Sequence, residues 1–125
     1  MQAMPQSAAE PRQISIPPGA HVVVLQGFYE GLELAIDAEW LVIGRGSDAN
    51  WCLSELTLSR QHAAFGWDGE SFFVQDLDST NGILVNKVRE TQARLRDGDE
   101  VQIGKICLRV TLPPERSMAT PGSVP

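Results

Sequence analysis

Three short stretches hold polar side chains whose types and spacing suit the capture of an oxyanion. In Gly44-Arg45-Gly46 an arginine follows an apolar run and lies between two glycines. Glycines permit a sharp turn and the close approach of a ligand backbone, and a guanidinium there offers charged, planar donors. In Leu58-Ser59-Arg60-Gln61-His62-Ala63 a hydroxyl and a second guanidinium stand side by side. The hydroxyl gives a short directional donor and the arginine a charged fork. In Asp76-Leu77-Asp78-Ser79-Thr80-Asn81-Gly82 the pair Asn81-Gly82 is a turn signal. The Asn81 amide can also pair with a peptide backbone, giving one donor and one acceptor at once.

Other chemistry is open to the same residues. His62 could serve Ser59 as a general base. No Gly-x-Ser-x-Gly elbow surrounds Ser59, and no oxyanion-hole or third-partner pattern accompanies the pair. The expectation is therefore no catalysis, with His62 as a hydrogen-bonding post that fixes its loop. Asp76 and Asp78 offer too few oxygen ligands for a calcium loop, so neither a metal nor a cofactor is expected. Cys52 and Cys107 are too few and too far apart for a disulfide scaffold or a zinc site. They read as two buried thiols of a cytosolic protein. The net charge of -6 disfavours a nucleic-acid surface or an anionic membrane. An anion must then be met by a small local pocket, not by a broad positive field.

These stretches need elements to position them, and the chain between them reads as strand after strand. All eight prolines fall in residues 1–19 and 113–125, leaving the stretch from Gly19 to Leu112 free of them. Proline removes a donor from a sheet ladder, so its absence suits a continuous sheet protein. His21 to Leu25 is a β-branched run, and Leu32, Leu34 and Ile36 alternate with polar or small residues. Trp40 to Ile43 is a short apolar run ended by Gly44. Asp68-Gly69 between His62–Trp67 and Ser71–Asp76 predicts a hairpin. Asn86-Lys87 predicts a second tight turn, between Ile83–Val85 and Val88. Glu100 to Ile103 and Lys105 to Leu112 close the series. No stretch has a helical period. The pattern predicts an all-β sandwich or barrel of about ten short strands, with the polar loops 44–50, 54–62 and 77–82 at one end. No run approaches the roughly 18 apolar residues of a membrane span, and residues 1–20 lack the apolar core of a signal peptide.

Taken together, the motifs are far more specific than each alone. Gly44-Arg45, Ser59-Arg60-x-His62-Ala63, Asp76-Leu77-x-Ser79-Thr80-Asn81-Gly82, Val85-Asn86 and Leu95-x-Asp97-Gly98-Asp99-x-Val101-x-Ile103-Gly104 resemble, in order and spacing, the forkhead-associated (FHA) domain. The resemblance covers roughly residues 21–112. It implies an FHA-type β-sandwich of about eleven short strands that binds phosphothreonine in partner proteins, a kinase or a kinase substrate. It also implies roles for single residues. Arg45 matches the arginine that contacts the phosphate, and Ser59 the serine whose hydroxyl bonds it. Arg60 matches a position that often adds a contact. Asn81 matches the asparagine that grips the ligand backbone, with Thr80 beside it. His62 supports the site, and Gly44 and Gly82 shape its loops. Ser54 and Leu56 depart from the usual proline or charge in a loop that helps read the residue after the phosphate.

The expected organisation is a flexible proline-rich tail over 1–19, an FHA domain over 20–112 and a flexible tail over 113–125, with tails that suggest a module of a larger protein, in the cytoplasm. The expected function is a phosphothreonine-dependent binding module for signalling. The alternative is a structural FHA-like scaffold of a bacterial secretion apparatus, suggested by the resemblance of Leu25-Gln26-Gly27 and Gly31-Leu32-Glu33-Leu34 to the first hairpin of such domains. Some members of the family bind a phosphothreonine in their own tail. Met1 to Ala20 has no threonine, and the one candidate, Thr120, is expected not to occlude the pocket.

Overall fold

The computed structural model describes residues 15–114, and the expectations for residues 1–14 and 115–125, Thr120 included, lie outside them. Eleven strands run in the order β1 His21–Val24, β2 Glu33–Ala35, β3 Leu41–Gly44, β4 Trp51–Cys52, β5 Ala63–Trp67, β6 Phe72–Asp76, β7 Ile83–Val85, β8 Val88–Glu90, β9 Gln92–Arg94, β10 Glu100–Ile103 and β11 Ile106–Thr111. They form a six-stranded sheet, β2-β1-β11-β10-β7-β8, and a five-stranded sheet, β4-β3-β5-β6-β9. All pairings are antiparallel except β3 with β4. The fold is the expected all-β sandwich. No helix among the described residues is long and apolar enough to cross a membrane.

Period-two alternation explains the core. Val22, Val24, Ile43, Phe65, Val74, Ile83, Val101, Ile103, Leu108 and Val110 point between the sheets and are buried. Each large side chain removed from water in this way stabilises the fold by about 1.5–3 kcal/mol. Trp51 lies over the Phe65 ring with centroids 5.5 Å apart, sealing the β4 edge.

The same alternation corrects the reading of the cysteines as buried. Ile106, Leu108 and Val110 face inward on β11, so Cys107 faces outward and is half-buried. Cys52 ends a two-residue edge strand and is exposed.

Register places the important loops at one end. Ile43 pairs with Ala63 and Ala63 with Asp76, so the loops after β3, before β5 and after β6 share an end. Ile83 pairs with Ile103 and Ile103 with Ile106, which brings the β10–β11 turn there too. The Lys105 amide donates to Thr57 Oγ1 at 2.8 Å, tying the two sheets together at this end.

Candidate functional site

The site is assembled by three loops that bond to one another through their backbones. Arg45 N–H donates to Ser59 O and Gly46 N–H to Arg60 O, both at 3.0 Å. This packing is why glycine stands at position 44. A Cβ there would lie 2.1 Å from Arg60 O, inside any allowed contact. The backbone that needs the space is thus the chain's own 59–60 segment, where a ligand backbone was expected.

Leu58 anchors the second loop. Its side chain is buried in the core, immediately before Ser59. Its carbonyl accepts from Arg45 Nε at 3.0 Å. One bond therefore fixes the root of the guanidinium while its two terminal nitrogens make no hydrogen bond among the described residues. Arg45 itself is exposed. The Arg60 side chain is exposed and also unpaired among the described residues, where the only ion pair joins Arg109 to Glu100.

Ser59 links the second loop to the third. Its Oγ accepts from Thr80 N–H at 3.0 Å. A hydroxyl that accepts still has its own proton to give, so Ser59 is a donor held in place by Thr80.

His62 is completely buried. Its Nδ1 accepts from Ser59 N–H at 3.0 Å, which puts the ring proton on Nε2, and Nε2 donates to Gly82 O at 2.8 Å. The imidazole therefore braces one loop against the other. With Nδ1 occupied by an amide, it has no free lone pair with which to take the Ser59 hydroxyl proton. This geometry matches a post and does not supply a Ser–His catalytic pair.

In the third loop Asp76 is spent on structure. Its carboxylate accepts from Ser79 Oγ at 2.5 Å and from Ser79 N–H at 3.3 Å. Ser79 Oγ in turn accepts from Gly82 N–H at 2.8 Å. Asp78 takes a positive φ of 61° and Gly82 one of 75°, closing the turn around Thr80 and Asn81. Among the described residues no cluster of His, Cys, Asp or Glu has the makings of a metal site.

Asn81 is exposed, and its Nδ2 donates to Thr57 O at 2.8 Å. Its Oδ1 and second N–H stay free of protein partners among the described residues. Arg45, Ser59, Arg60, Thr80 and Asn81 are thus brought to one loop end, with Gly44, His62 and Gly82 beneath them. Three further residues border the site without having been singled out from the sequence: Thr57, Arg89 and Lys105. Arg89 covers Gly82, where a Cβ would meet its guanidinium at 2.8–3.0 Å. The usable signal for Thr57 was its place two residues before Ser59. Arg89 and Lys105 look in sequence like ordinary surface cations.

Comparison with known proteins settles the family. Residues 41–104 match the FHA domain family. The chain belongs to the FHA domain family. The match spans β3 to the end of β10 and contains the three loops that assemble the site, with Lys105 just beyond it. This FHA domain is 36% identical over 110 residues to the oxoglutarate dehydrogenase inhibitor of Corynebacterium jeikeium, covering 86% of this chain and 76% of that one. It is 40% identical over 94 residues to the glycogen accumulation regulator GarA of Mycobacterium tuberculosis, covering 74% of this chain and 58% of GarA. The chain therefore spans little more than half of GarA's length. Among solved structures, an FHA domain studied for its phosphothreonine-dependent interactions superposes with a TM-score of 0.70 at 31% identity, covering 77% of this chain and 98% of that one.

Proposed function

We propose that this FHA domain is a phosphothreonine-dependent binding module, a signalling adaptor without catalysis. The observation that carries the reading is a set of anchored but unspent donors at one loop end. Arg45 is fixed at Nε with its terminal nitrogens free. Ser59 is held by Thr80 with its proton free. A phosphate carries about -1.5 to -2 charges near neutral pH and presents three strong acceptors, which suits these donors together with Arg60 and the Thr80 hydroxyl. Asn81 would hold the backbone of the bound segment through its free amide atoms. The similarity to a domain with phosphothreonine-dependent interactions supports the same ligand. A scaffold with no phosphate dependence needs none of these donors, so their joint presence favours binding over the secretion-apparatus reading. The partner is a phosphothreonine-containing protein, a Ser/Thr kinase or its substrate. We assign the module to the cytoplasm, in keeping with two free thiols.

The test is titration of a phosphothreonine peptide library, with unphosphorylated peptides as controls. Charge-assisted hydrogen bonds are worth about 1.5–3 kcal/mol each, so losing two weakens binding by about 10² or more. Equal capture of both libraries would refute the proposal.

A further inference from the structure

Away from the loops just described, an open groove of about 410 Å³ follows β2, bordered by Glu33, Ala35 and Asp37 on the strand side and by Ile16, Pro17 and Gly19 from the segment before β1. His21 pairs with both Ala35 and Thr111, which sets the groove at the end of the sheet opposite the β10–β11 turn. β2 is an outer strand of the six-stranded sheet, and among the described residues it pairs with β1 alone. Register decides which of its backbone groups are spent. Val24 N–H donates to Leu32 O and Ile36 N–H to Ala20 O, both at 2.9 Å. Bonded pairs recur at every second residue of an antiparallel ladder, so Leu34 bonds Val22 while the amides and carbonyls of Glu33 and Ala35 point away from β1. Among the described residues these outward groups have no partner. A row of unpaired strand groups is a template for one more strand.

Charge decides what that strand must carry. Glu33 and Asp37 are exposed, and neither forms an ion pair among the described residues. Side chains alternate along a strand, so Glu33, Ala35 and Asp37 share one face and Leu34 and Ile36 the other. Two copies of this chain paired edge to edge would gather four carboxylates on one face, and like charges across a ladder are destabilising. The chain's own ends are also poor candidates. Residues 1–14 and 115–125 each hold one arginine, one glutamate and two prolines, and proline cannot donate to a ladder. The fitting occupant is a segment of another protein with Lys or Arg at every second position, on the face of Glu33 and Asp37. Its intervening side chains would turn toward Leu34 and Ile16, which pack on the core but stay partly exposed. Val, Ile or Thr suits those positions.

We infer that the open edge of β2 is a strand-addition site for an extended partner segment in which cationic and apolar residues alternate. Backbone bonds to Glu33 and Ala35 would give the contact its strength and the two carboxylates its choice of sequence. The groove shares no residue with the loops around Arg45, Ser59 and Asn81, so this site needs no phosphate and can be filled while those loops hold another ligand.

The experiment follows amide hydrogen exchange of the full chain by NMR, with a short end-blocked peptide of alternating Lys and Val as the probe. In the free chain the Leu34 and Ile36 amides should be protected and those of Glu33 and Ala35 should exchange fast. Saturating probe should slow exchange at Glu33 and Ala35 by about tenfold or more. A peptide of alternating Glu and Val should bind about three- to tenfold more weakly, as expected for a few exposed ion pairs. Glu33→Gln with Asp37→Asn should bring that ratio near one. Ala35→Pro removes an outward N–H, which an edge strand tolerates, so it should melt like the unaltered chain and bind the probe several-fold more weakly. Absence of any slowing at Glu33 and Ala35 overturns the inference. So does equal slowing by a peptide with its Lys and Val in two separate blocks, which would show adhesion by charge alone. Protection of the two amides in the free chain also overturns it: independent of protein concentration it assigns the edge to the chain's own tail, and rising with concentration to a second copy. Full binding by a folded Ala35→Pro variant overturns it as well.

Discussion

Arg45 and His62 show how two polar residues in one site divide its work. Arg45 is exposed and holds its place with a single bond from Nε to Leu58 O, so little of the fold depends on it. Arg45→Ala should keep its melting temperature within a few degrees and lose phosphopeptide affinity by about tenfold to a hundredfold or more. Calorimetry on the folded variant decides this, and unchanged affinity removes Arg45 from the site. His62 has no exposure and two bonds, one to each loop. Removing it strands the Ser59 amide and the Gly82 carbonyl, each at a cost of about 1–3 kcal/mol if left unsatisfied. His62→Ala should therefore melt clearly lower and bind worse, as differential scanning fluorimetry and a parallel titration would show. An unchanged melting temperature together with loss of a hydrolytic activity would revive the Ser–His reading. The residues proposed to face a phosphate were legible because the family motif lies in contiguous runs. Arg89 and Lys105 were not, since nothing local marks them, and Thr57 was marked only by its place two residues before Ser59. Their importance arises only when the β4–β5 loop, β8 and the β10–β11 turn meet in space.

Strands with an apolar alternation were legible at the level of elements, and the shortest edges were not. Leu41 to Ile43, Ile83 to Val85 and Ile106 to Leu112 announce themselves through inward-facing aliphatic residues. The edge strands β4, Trp51–Cys52, and β9, Gln92–Arg94, do not. The first has two residues, too few for a period. The second buries only part of Ala93, so its pairing with β6 is a backbone affair. Loop packing has its own requirement at Gly44. Gly44→Ala should destabilise the domain by about 1–3 kcal/mol, because the new methyl meets backbone that cannot rotate away. It should weaken phosphopeptide binding as well, since relief of the clash moves the Ser59–Arg60 segment. Chemical denaturation and titration of the same sample test both effects.

The β5–β6 hairpin gives a pH prediction. Asp68 Oδ1 accepts from Ser71 N–H and Glu70 N–H, each at 2.8 Å, and these bonds hold its carboxyl below the ordinary value. A lowered folded-state value means that the stabilisation is present above the unfolded value of about 3.9 and is lost as pH falls through the folded one. Asp68→Ala should therefore melt below the unaltered chain near neutral pH, and the gap should close in acid. A gap that widens as the pH drops would reverse the assignment.

For the whole molecule, what matters is which end of the sandwich the chain uses for entry and exit. His21 at the start of β1 pairs with Thr111 at the end of β11, whereas the loops of the proposed site and the β10–β11 turn lie at the other end. The described chain thus enters and leaves opposite the site. A threonine in a tail must travel the height of the sandwich to reach Arg45. β11 alone spans six residues, about 20 Å at the usual rise per residue. Thr120 is nine residues beyond Thr111, a contour of at most about 32 Å. A straight climb would use about two thirds of it, leaving about 12 Å to turn across the end of the sandwich toward Ser59 and Asn81. Residues 1–20 hold no threonine. Thr120 should therefore leave the pocket open to partners in trans. Phosphorylated Thr120, installed by chemical ligation, should leave the affinity for a separate phosphothreonine peptide within about twofold. A larger loss that does not depend on protein concentration would reveal a ligand in cis, and would mean that the tail reaches the site by a shorter path than the strands suggest.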